Sequence, residues 1–246
     1  MRLEFVLTSL VHEGINTKSK KKLSVGKKII IVLAAVVLTL GAVVGVAYWK
    51  YVYPTGKVMP GLYTIRTHNN GLPMGNFFLM QAGEDYIAID AGGNNTETES
   101  GLQKLGISAD DIVAVFITHA HWDHIGSLDL FDKAVIYTGN TEGSTFPNMP
   151  HQVISNNGII EVSGVSIQCL YTPGHTIDSV CYLIDGKYLF VGDLFVTTND
   201  SPFEKRYDKG VQLEYREKML AIESVEYVFT GHFGFFKDVS FFRWWF

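Results

Sequence analysis

Apolar residues fall into one long run near the amino end of the chain and many short runs after it. The long run, Ile29–Trp49, contains 21 residues without a charge and is long enough to cross the hydrocarbon core of a bilayer as a helix. From Gly61 onward the apolar runs are short and are bounded by Gly, Pro, Asn and Asp, which is typical of β-strands joined by turns. The pattern therefore predicts a membrane segment followed by a strand-rich domain.

The short runs predict strands over Leu62–Thr67, Asn76–Gln81, Tyr86–Asp90, Val113–Ile117, Ala134–Tyr137, Val165–Tyr171, Ser179–Ile184, Lys187–Val191 and Val225–Phe229. Helices are predicted over Thr96–Leu105, which Gly106 ends, from Gly126 to Phe131, and over Gly210–Ser224. Residues 139–157 are rich in Gly, Pro and Asn and predict an irregular loop.

The long apolar run has two interpretations. A cleaved signal peptide is one, because Gly45, Val46 and Ala47 resemble a cleavage site. A retained anchor is the other, and we predict it because signal cores have only about 7–15 apolar residues. The predicted organisation is a basic tail (1–28), an anchor (29–49), a linker (50–60) and a globular domain (61–246).

Lysines indicate the orientation of this anchor. Six precede it and two follow closely, namely Lys18, Lys20, Lys21, Lys22, Lys27 and Lys28 before it and Lys50 and Lys57 behind it. Since positive charge stays in the cytoplasm, we expect a single-pass protein of the cell membrane with a cytoplasmic amino end and the globular domain outside. Anionic membrane lipid is the expected partner of the tail.

Charge is divided unevenly along the chain. Residues 1–50 carry eight Lys and Arg against two Glu, whereas the remainder carries 12 Lys and Arg against 23 Asp and Glu. An acidic domain repels polyphosphate backbones, so we expect a small-molecule substrate and no nucleic acid.

Four metal-ligating side chains follow the apolar run Ile112–Ile117 in the order His-Ala-His-Trp-Asp-His. His119 and His121 are two residues apart, so on an extended strand end both imidazoles leave on one side. Asp123 and His124 come where the chain can turn into a helix and reach the same cavity from another direction. Nitrogen and carboxylate ligands suit zinc, and also iron or manganese.

Further candidate ligands follow other strand-like runs. His175 lies in a Thr-Pro-Gly-His-Thr segment, Asp193 follows Gly192, and His232 follows Gly231. Singly, each is compatible with an ordinary polar turn. Together, each just beyond the end of a predicted strand, they predict a shared metal site.

These residues resemble the motifs of the metallo-β-lactamase superfamily of metal-dependent hydrolases, over roughly residues 61–232. The resemblance implies an α+β fold, a four-layer αββα sandwich, here preceded by a transmembrane helix. It assigns His119, His121 and His175 to one divalent ion and Asp123, His124 and His232 to a second, with Asp193 between them. Zinc is the expected metal, and Asp123 is also predicted to act in catalysis. The layout implies that residues 139–157 face the site.

Six other residues carry expectations. Asp90 either forms a hydrogen bond to a metal ligand without contacting the metal, or accepts helix N–H groups near Thr96. Cys169 and Cys181 are expected to be free buried thiols, although a disulfide suits an outside location. His12, His68 and His151 are expected at the surface.

The predicted activity is hydrolysis of an ester, thioester or lactone. A β-lactamase is less favoured for two reasons. In the pattern typical of zinc β-lactamases, Cys or Ser stands where this chain has Asp193, and here no Lys follows Asp193. The alternatives are an iron-dependent thiol or persulfide dioxygenase on the same fold and a metal-binding module without catalysis. Because few residues follow His232, the helical substrate domain of glyoxalase II enzymes is not expected.

Overall fold

The computed structural model describes residues 24–51, 55–69, 72–196 and 208–237. The sequence predictions for most of the basic tail and for His12 lie outside these residues. The chain divides into two compact units, residues 1–47 and 48–246.

The first unit contributes most of one long helix, α1, which spans Val25–Tyr51. Its segment Val25–Gly45 has 21 residues and a mean hydropathy of 2.5, with none of it buried. By length and composition it can cross a membrane, and a signal sequence would pass the same test. The helix begins before the predicted start at Ile29, since Lys27 and Lys28 are compatible with helical structure.

The second unit contains two β-sheets. The seven strands of the first sheet lie in sequence order: β1 (Gly56–Met59), β2 (Leu62–Asn69), β3 (Leu72–Ala82), β4 (Asp85–Ile89), β5 (Ile112–Phe116), β6 (Val135–Thr138) and β7 (Gln152–Val153). The second has the order β13-β12-β11-β10-β9-β8, formed by β8 (Ile159–Val162), β9 (Val165–Tyr171), β10 (Val180–Ile184), β11 (Tyr188–Phe190), β12 (Tyr227–Thr230) and β13 (Gly234–Lys237).

An aromatic core joins the two sheets. Phe78 of the first sheet contacts Phe190 and Phe229 of the second, with ring centroids 5.5 and 5.4 Å apart. Phe116 meets Tyr182 edge to face, and the Tyr182 hydroxyl donates to the carbonyl of Ile117 at 2.8 Å. Buried aromatic pairs of this kind contribute about 0.5–1.5 kcal/mol each beyond their area. The sheets therefore pack face to face as a sandwich.

Helices cover the two outer faces. On the first sheet, α2 (Asn95–Leu105) buries Leu102 beside a cluster that includes Ile65 and Val115. On the second, α4 (Lys209–Leu220) buries Met219 and Leu220. Between β5 and β6 lie the short α3 (Trp122–Ile125) and a 3₁₀ turn, Leu128–Leu130. The mixed α/β sandwich expected from the resemblance is present.

Local signals account for some boundaries and not for others. The Asn94 side chain accepts from the N–H of Glu97, and Gly106 ends α2 with a φ of 69°. The helix predicted from Gly126 to Phe131 is wrong: the α-helix of this segment, α3, ends before it at Ile125, and only the 3₁₀ turn Leu128–Leu130 lies within the predicted range. Four of the eleven residues of the predicted linker form strand β1, because Gly56–Met59 pairs with β2 along the sheet edge.

The two cysteines are both free and buried. Cys169 lies opposite Tyr182 and Cys181 opposite Leu170, so the two thiols are offset by one residue across the β9–β10 pair. That offset sends them to opposite faces of the sheet, Cys169 into the aromatic core and Cys181 beneath α4. The expectation of free thiols is confirmed, and the disulfide alternative is wrong.

Candidate metal centre

The predicted ligands converge at one edge of the sandwich, beyond the ends of several strands. The segment from His119 to His124 follows β5, and His175 lies between β9 and β10. Asp193 follows β11, and His232 lies in the turn between β12 and β13. Residues more than 110 positions apart in the sequence are thus neighbours in space.

Two groups of side chains have spacings suited to a metal ion, each with its candidate ligand atoms within 4.8 Å of one another. The first group is His119, His121, His175 and Asp193, and the second is Asp123, His124 and His232. These are the seven residues named from the sequence, in the division that the resemblance implied, except that Asp193 falls within the first group.

The Asp193 carboxylate lies between the groups. Its Oδ2 is 3.5 Å from Nε2 of His175 and 3.1 Å from Nε2 of His232, while its Oδ1 is 3.5 Å from Nε2 of His124. A carboxylate in this position can bind two cations at once.

The donor atoms fit a metal better than they fit one another. Nε2 of His119, Nε2 of His124 and Oδ1 of Asp193 are buried and have no hydrogen-bond partner among the described residues. Such an unmet buried polar atom costs about 1–3 kcal/mol, and coordination to a cation would satisfy all three. Gly231 leaves room for this, because a Cβ there would lie 2.5 Å from Oδ1 of Asp193.

The second group is completed by Asp123. Its Oδ2 is 3.5 Å from Nε2 of His232 and 3.8 Å from Nε2 of His124. Both Asp123 and His124 are in the single turn of α3, which directs two neighbouring side chains toward one cavity.

Asp90 supports this arrangement from behind. It follows β4 with a φ of 65°, a conformation that costs free energy for a residue other than Gly. Its carboxylate accepts from the N–H of Thr118 at 2.7 Å and from the Thr118 hydroxyl at 2.9 Å, and it lies 2.8 Å from Nδ1 of His124. The alternative role, capping the helix near Thr96, is wrong: Asn94 caps that helix.

Burial and neighbouring charges shift the pKa values of the site residues in different directions. Burial is the main influence on His119 and lowers its pKa well below the usual value, and the neighbouring His124 acts in the same direction. Burial also opposes protonation of His124, but carboxylates, Asp90 foremost, outweigh it and raise the pKa of His124 well above its usual value. Burial likewise favours protonation of Asp193, yet His232 and His124 hold the pKa of that carboxyl well below its usual range. A carboxylate kept ionised in a buried site is suited to a cation.

Sequence reasoning missed two features of the site. Trp122, Ile177 and Phe233 are 49%, 37% and 38% exposed, and each is within two residues of a predicted ligand. Asp178 is buried and accepts a hydrogen bond from the N–H of Ala120 at 3.0 Å. Nothing in the local sequence distinguishes that carboxylate from one in an ordinary turn.

Histidines outside the two groups have other partners. Nδ1 of His68 is 3.3 Å from a carboxylate oxygen of Glu97, and His68 is only partly exposed. His151 is partly buried, with Nδ1 2.9 Å from the carbonyl of Met149. In the same loop, the Thr145 hydroxyl donates to the carbonyl of Ala120 at 3.2 Å, which places Thr145 beside the segment that carries His119 and His121.

Comparison with known proteins agrees with this geometry. A family model described as the metallo-beta-lactamase superfamily matches residues 70–232, which is 163 of the 246 residues. Among solved structures, a metallo-beta-lactamase family protein from Thermus thermophilus superimposes with a TM-score of 0.62 at 19% identity, over 74% of this chain and 77% of that chain.

Two curated relatives have names that describe an activity. An atrochrysone carboxyl ACP thioesterase from Aspergillus chevalieri is 29% identical over 145 residues, or 56% of this chain and 46% of the relative. A hydroxyacylglutathione hydrolase from Glaesserella parasuis serovar 5 is 31% identical over 124 residues, or 48% of this chain and 50% of the relative. The matches cover about half the length of each relative.

Proposed function

Because the chain belongs to the metallo-β-lactamase superfamily, we propose that it is a metal-dependent hydrolase of an ester, thioester or lactone. The observation that supports this most directly is the Asp193 carboxylate lying between two groups of mostly buried candidate ligands. Thioesters are the first substrates to test, since one relative is named a thioesterase and another a hydroxyacylglutathione hydrolase.

In this proposal His119, His121 and His175 would hold one divalent ion and Asp123, His124 and His232 would hold a second, with the Asp193 carboxylate available to either. Two divalent ions, zinc being the expected metal, would polarise the substrate carbonyl and lower the pKa of water to about 7, which supplies hydroxide at neutral pH. The imidazoles and carboxylates would hold these ions in place. Asp123, the one acid in the second group, is proposed to orient the attacking water and carry its proton.

The apolar residues at the site suit an acyl substrate. Trp122, Ile177 and Phe233 offer partly exposed apolar surface beside the proposed ligands. Burial of an apolar acyl chain against such surface contributes about 25 cal/mol per Å². A substrate of this kind would place its carbonyl near the proposed ligands and its acyl chain against these three residues.

The membrane placement is also a proposal. α1 is fully exposed along Val25–Gly45, so its apolar surface lacks a protein partner among the described residues. We propose that it anchors the protein in the cell membrane with the catalytic domain outside. Protease treatment of intact cells should remove the domain and spare the tail, whereas a soluble mature protein that begins near residue 48 would identify a cleaved signal.

The activity is tested with the full-length chain purified in detergent and loaded with zinc. Metal content is measured first, and turnover is then measured on acyl thioesters, aryl esters, lactones, phosphodiesters and a β-lactam. His119→Ala and Asp193→Ala should lose metal and turnover, whereas His68→Ala, which alters a histidine outside both groups, should retain them. Wild-type protein with two ions and no turnover on any carbonyl substrate would contradict the proposal.

A further inference from the structure

The backbone of Ala120, the residue between His119 and His121, is held by side chains from two other loops. Its N–H, that of Ala120, donates to Oδ2 of Asp178 at 3.0 Å. Its carbonyl accepts from the Thr145 hydroxyl at 3.2 Å. Ala120 is 5% exposed and Asp178 7%, so water competes weakly for these bonds.

The bond to Asp178 extends a contact between the two sheets. Two residues earlier, the carbonyl of Thr118 accepts from the N–H of Val180 at 2.9 Å, which joins the end of β5 to the start of β10. Ala120 lies beyond that contact. In a regular antiparallel ladder its N–H would donate to a backbone carbonyl, but here it donates to the carboxylate of Asp178. One side chain thus prolongs the pairing by two residues, as far as the metal ligands.

Both partners of this bond are adjacent to proposed ligands. Ala120 lies between His119 and His121, and Asp178 lies three residues after His175. Nδ1 of His121 and Nε2 of His175 are 3.1 Å apart. A shift of the Ala120 peptide moves His121 relative to His175, and zinc sites tolerate deviations of only about 0.2 Å in ligand distance.

We propose that Asp178 is a positioning residue that sets the distance between the His119–His121 segment and the His175 loop, and so the affinity and geometry of the first metal site. This inference rests on the proposed function, because it assumes that the first group binds a metal. It predicts that the location of the accepting oxygen matters and that the negative charge by itself does not.

Three substitutions separate location from charge. Asp178→Asn keeps an acceptor oxygen in place without the charge, Asp178→Glu keeps the charge but displaces the oxygen by one methylene, and Asp178→Ala removes both. Asp111→Ala is the matched control, since the Asp111 carboxylate also accepts one backbone N–H, from Ser108 at 2.8 Å, at the far end of β5.

Zinc affinity is measured on the full-length protein in detergent by competition with a chromophoric chelator, and the cobalt-substituted protein gives an absorption spectrum of the ligand geometry. Asp178→Ala and Asp178→Glu should weaken the binding of one ion by about 10- to 100-fold and alter the cobalt spectrum. Asp178→Asn and Asp111→Ala should stay within about threefold of the wild type, with its spectrum.

The outcomes decide the inference even if Asp178→Ala does not fold. Wild-type affinity and spectrum in Asp178→Glu, or weak binding in Asp178→Asn, would overturn the positioning role. Failure of the wild-type protein to bind zinc would overturn the proposed function instead. Zinc binding by the wild type that weakens in Asp178→Glu but not in Asp178→Asn would support both the positioning role and the proposed function.

Discussion

Replacement of Asp90 tests whether the candidate site depends on support from outside the two ligand groups. Its carboxylate accepts two bonds from Thr118 and lies 2.8 Å from Nδ1 of His124. With Nδ1–H donated to the carboxylate, the lone pair of His124 is on Nε2, the atom that faces Asp193. The substitution Asp90→Asn keeps an acceptor for Thr118 but offers His124 an amide N–H, which favours the wrong tautomer.

The expected magnitude follows from these contacts. Loss of such a carboxylate partner weakens metal binding by about 10- to 100-fold, or roughly 1.4–2.7 kcal/mol, so Asp90→Asn should release one ion at a lower chelator concentration. Asn also tolerates the positive φ of 65°, so the fold should survive. Asp90→Ala removes every bond and leaves the buried N–H of Thr118 unsatisfied, which should lower the free energy of unfolding by about 3–5 kcal/mol.

Two measurements check this. Competition with a chelator gives the affinity of each ion, and urea unfolding in EDTA gives the stability without metal. Glu97→Gln is a control, because Glu97 also contacts a histidine, His68, but at the start of α2. Equal affinity for both ions in Asp90→Asn and wild type would refute the argument that this carboxylate sets the tautomer of His124.

Three further predictions follow from burial and charge. Burial raises the pKa of Cys169 and of Cys181 to about 12, so neither thiol should react with a disulfide reagent at pH 8 until the protein unfolds; rapid labelling of native protein would contradict the register of β9 and β10. The pKa values of His124 and His232 are raised in the metal-free fold, which means that their protons stabilise it fully below the unfolded pKa of about 6.5. That stability should therefore fall as pH rises above about 6.5 in EDTA, as measured by urea unfolding at several pH values; a constant or rising value would be evidence against it. Gly231→Ala would place a Cβ 2.5 Å from the Asp193 carboxylate and should lower zinc occupancy with little change in circular dichroism. Undiminished zinc occupancy would show that the site can accommodate the added methyl group.

Much of the site can be read from the sequence because its ligands follow strand ends. His119 and His121 come directly after a buried run, and a β-strand end presents such residues at the sheet edge whatever the rest of the fold. The spacing of Asp123 and His124 is likewise local, since one turn of helix fixes both. Strand-rich character and the set of candidate ligands are therefore predictable from short segments.

Other features depend on pairings between distant segments. Gly56–Met59 was predicted to be a linker, but hydrogen bonds to β2 make it an edge strand. The cysteines are six residues either side of His175, a spacing that allows a disulfide, and only the register of β9 against β10 sends them to opposite faces.

The sequence by itself determined which side chains can bind a metal, because ligand chemistry and strand-end position are properties of single residues and their neighbours. Only the tertiary structure decided how those side chains are held. The bonds that Thr118 donates to Asp90 and that Ala120 donates to Asp178 join residues 28 and 58 positions apart. A hydrogen bond across such a distance leaves no periodic trace in the chain, since its strength comes from burial that the packed sandwich creates.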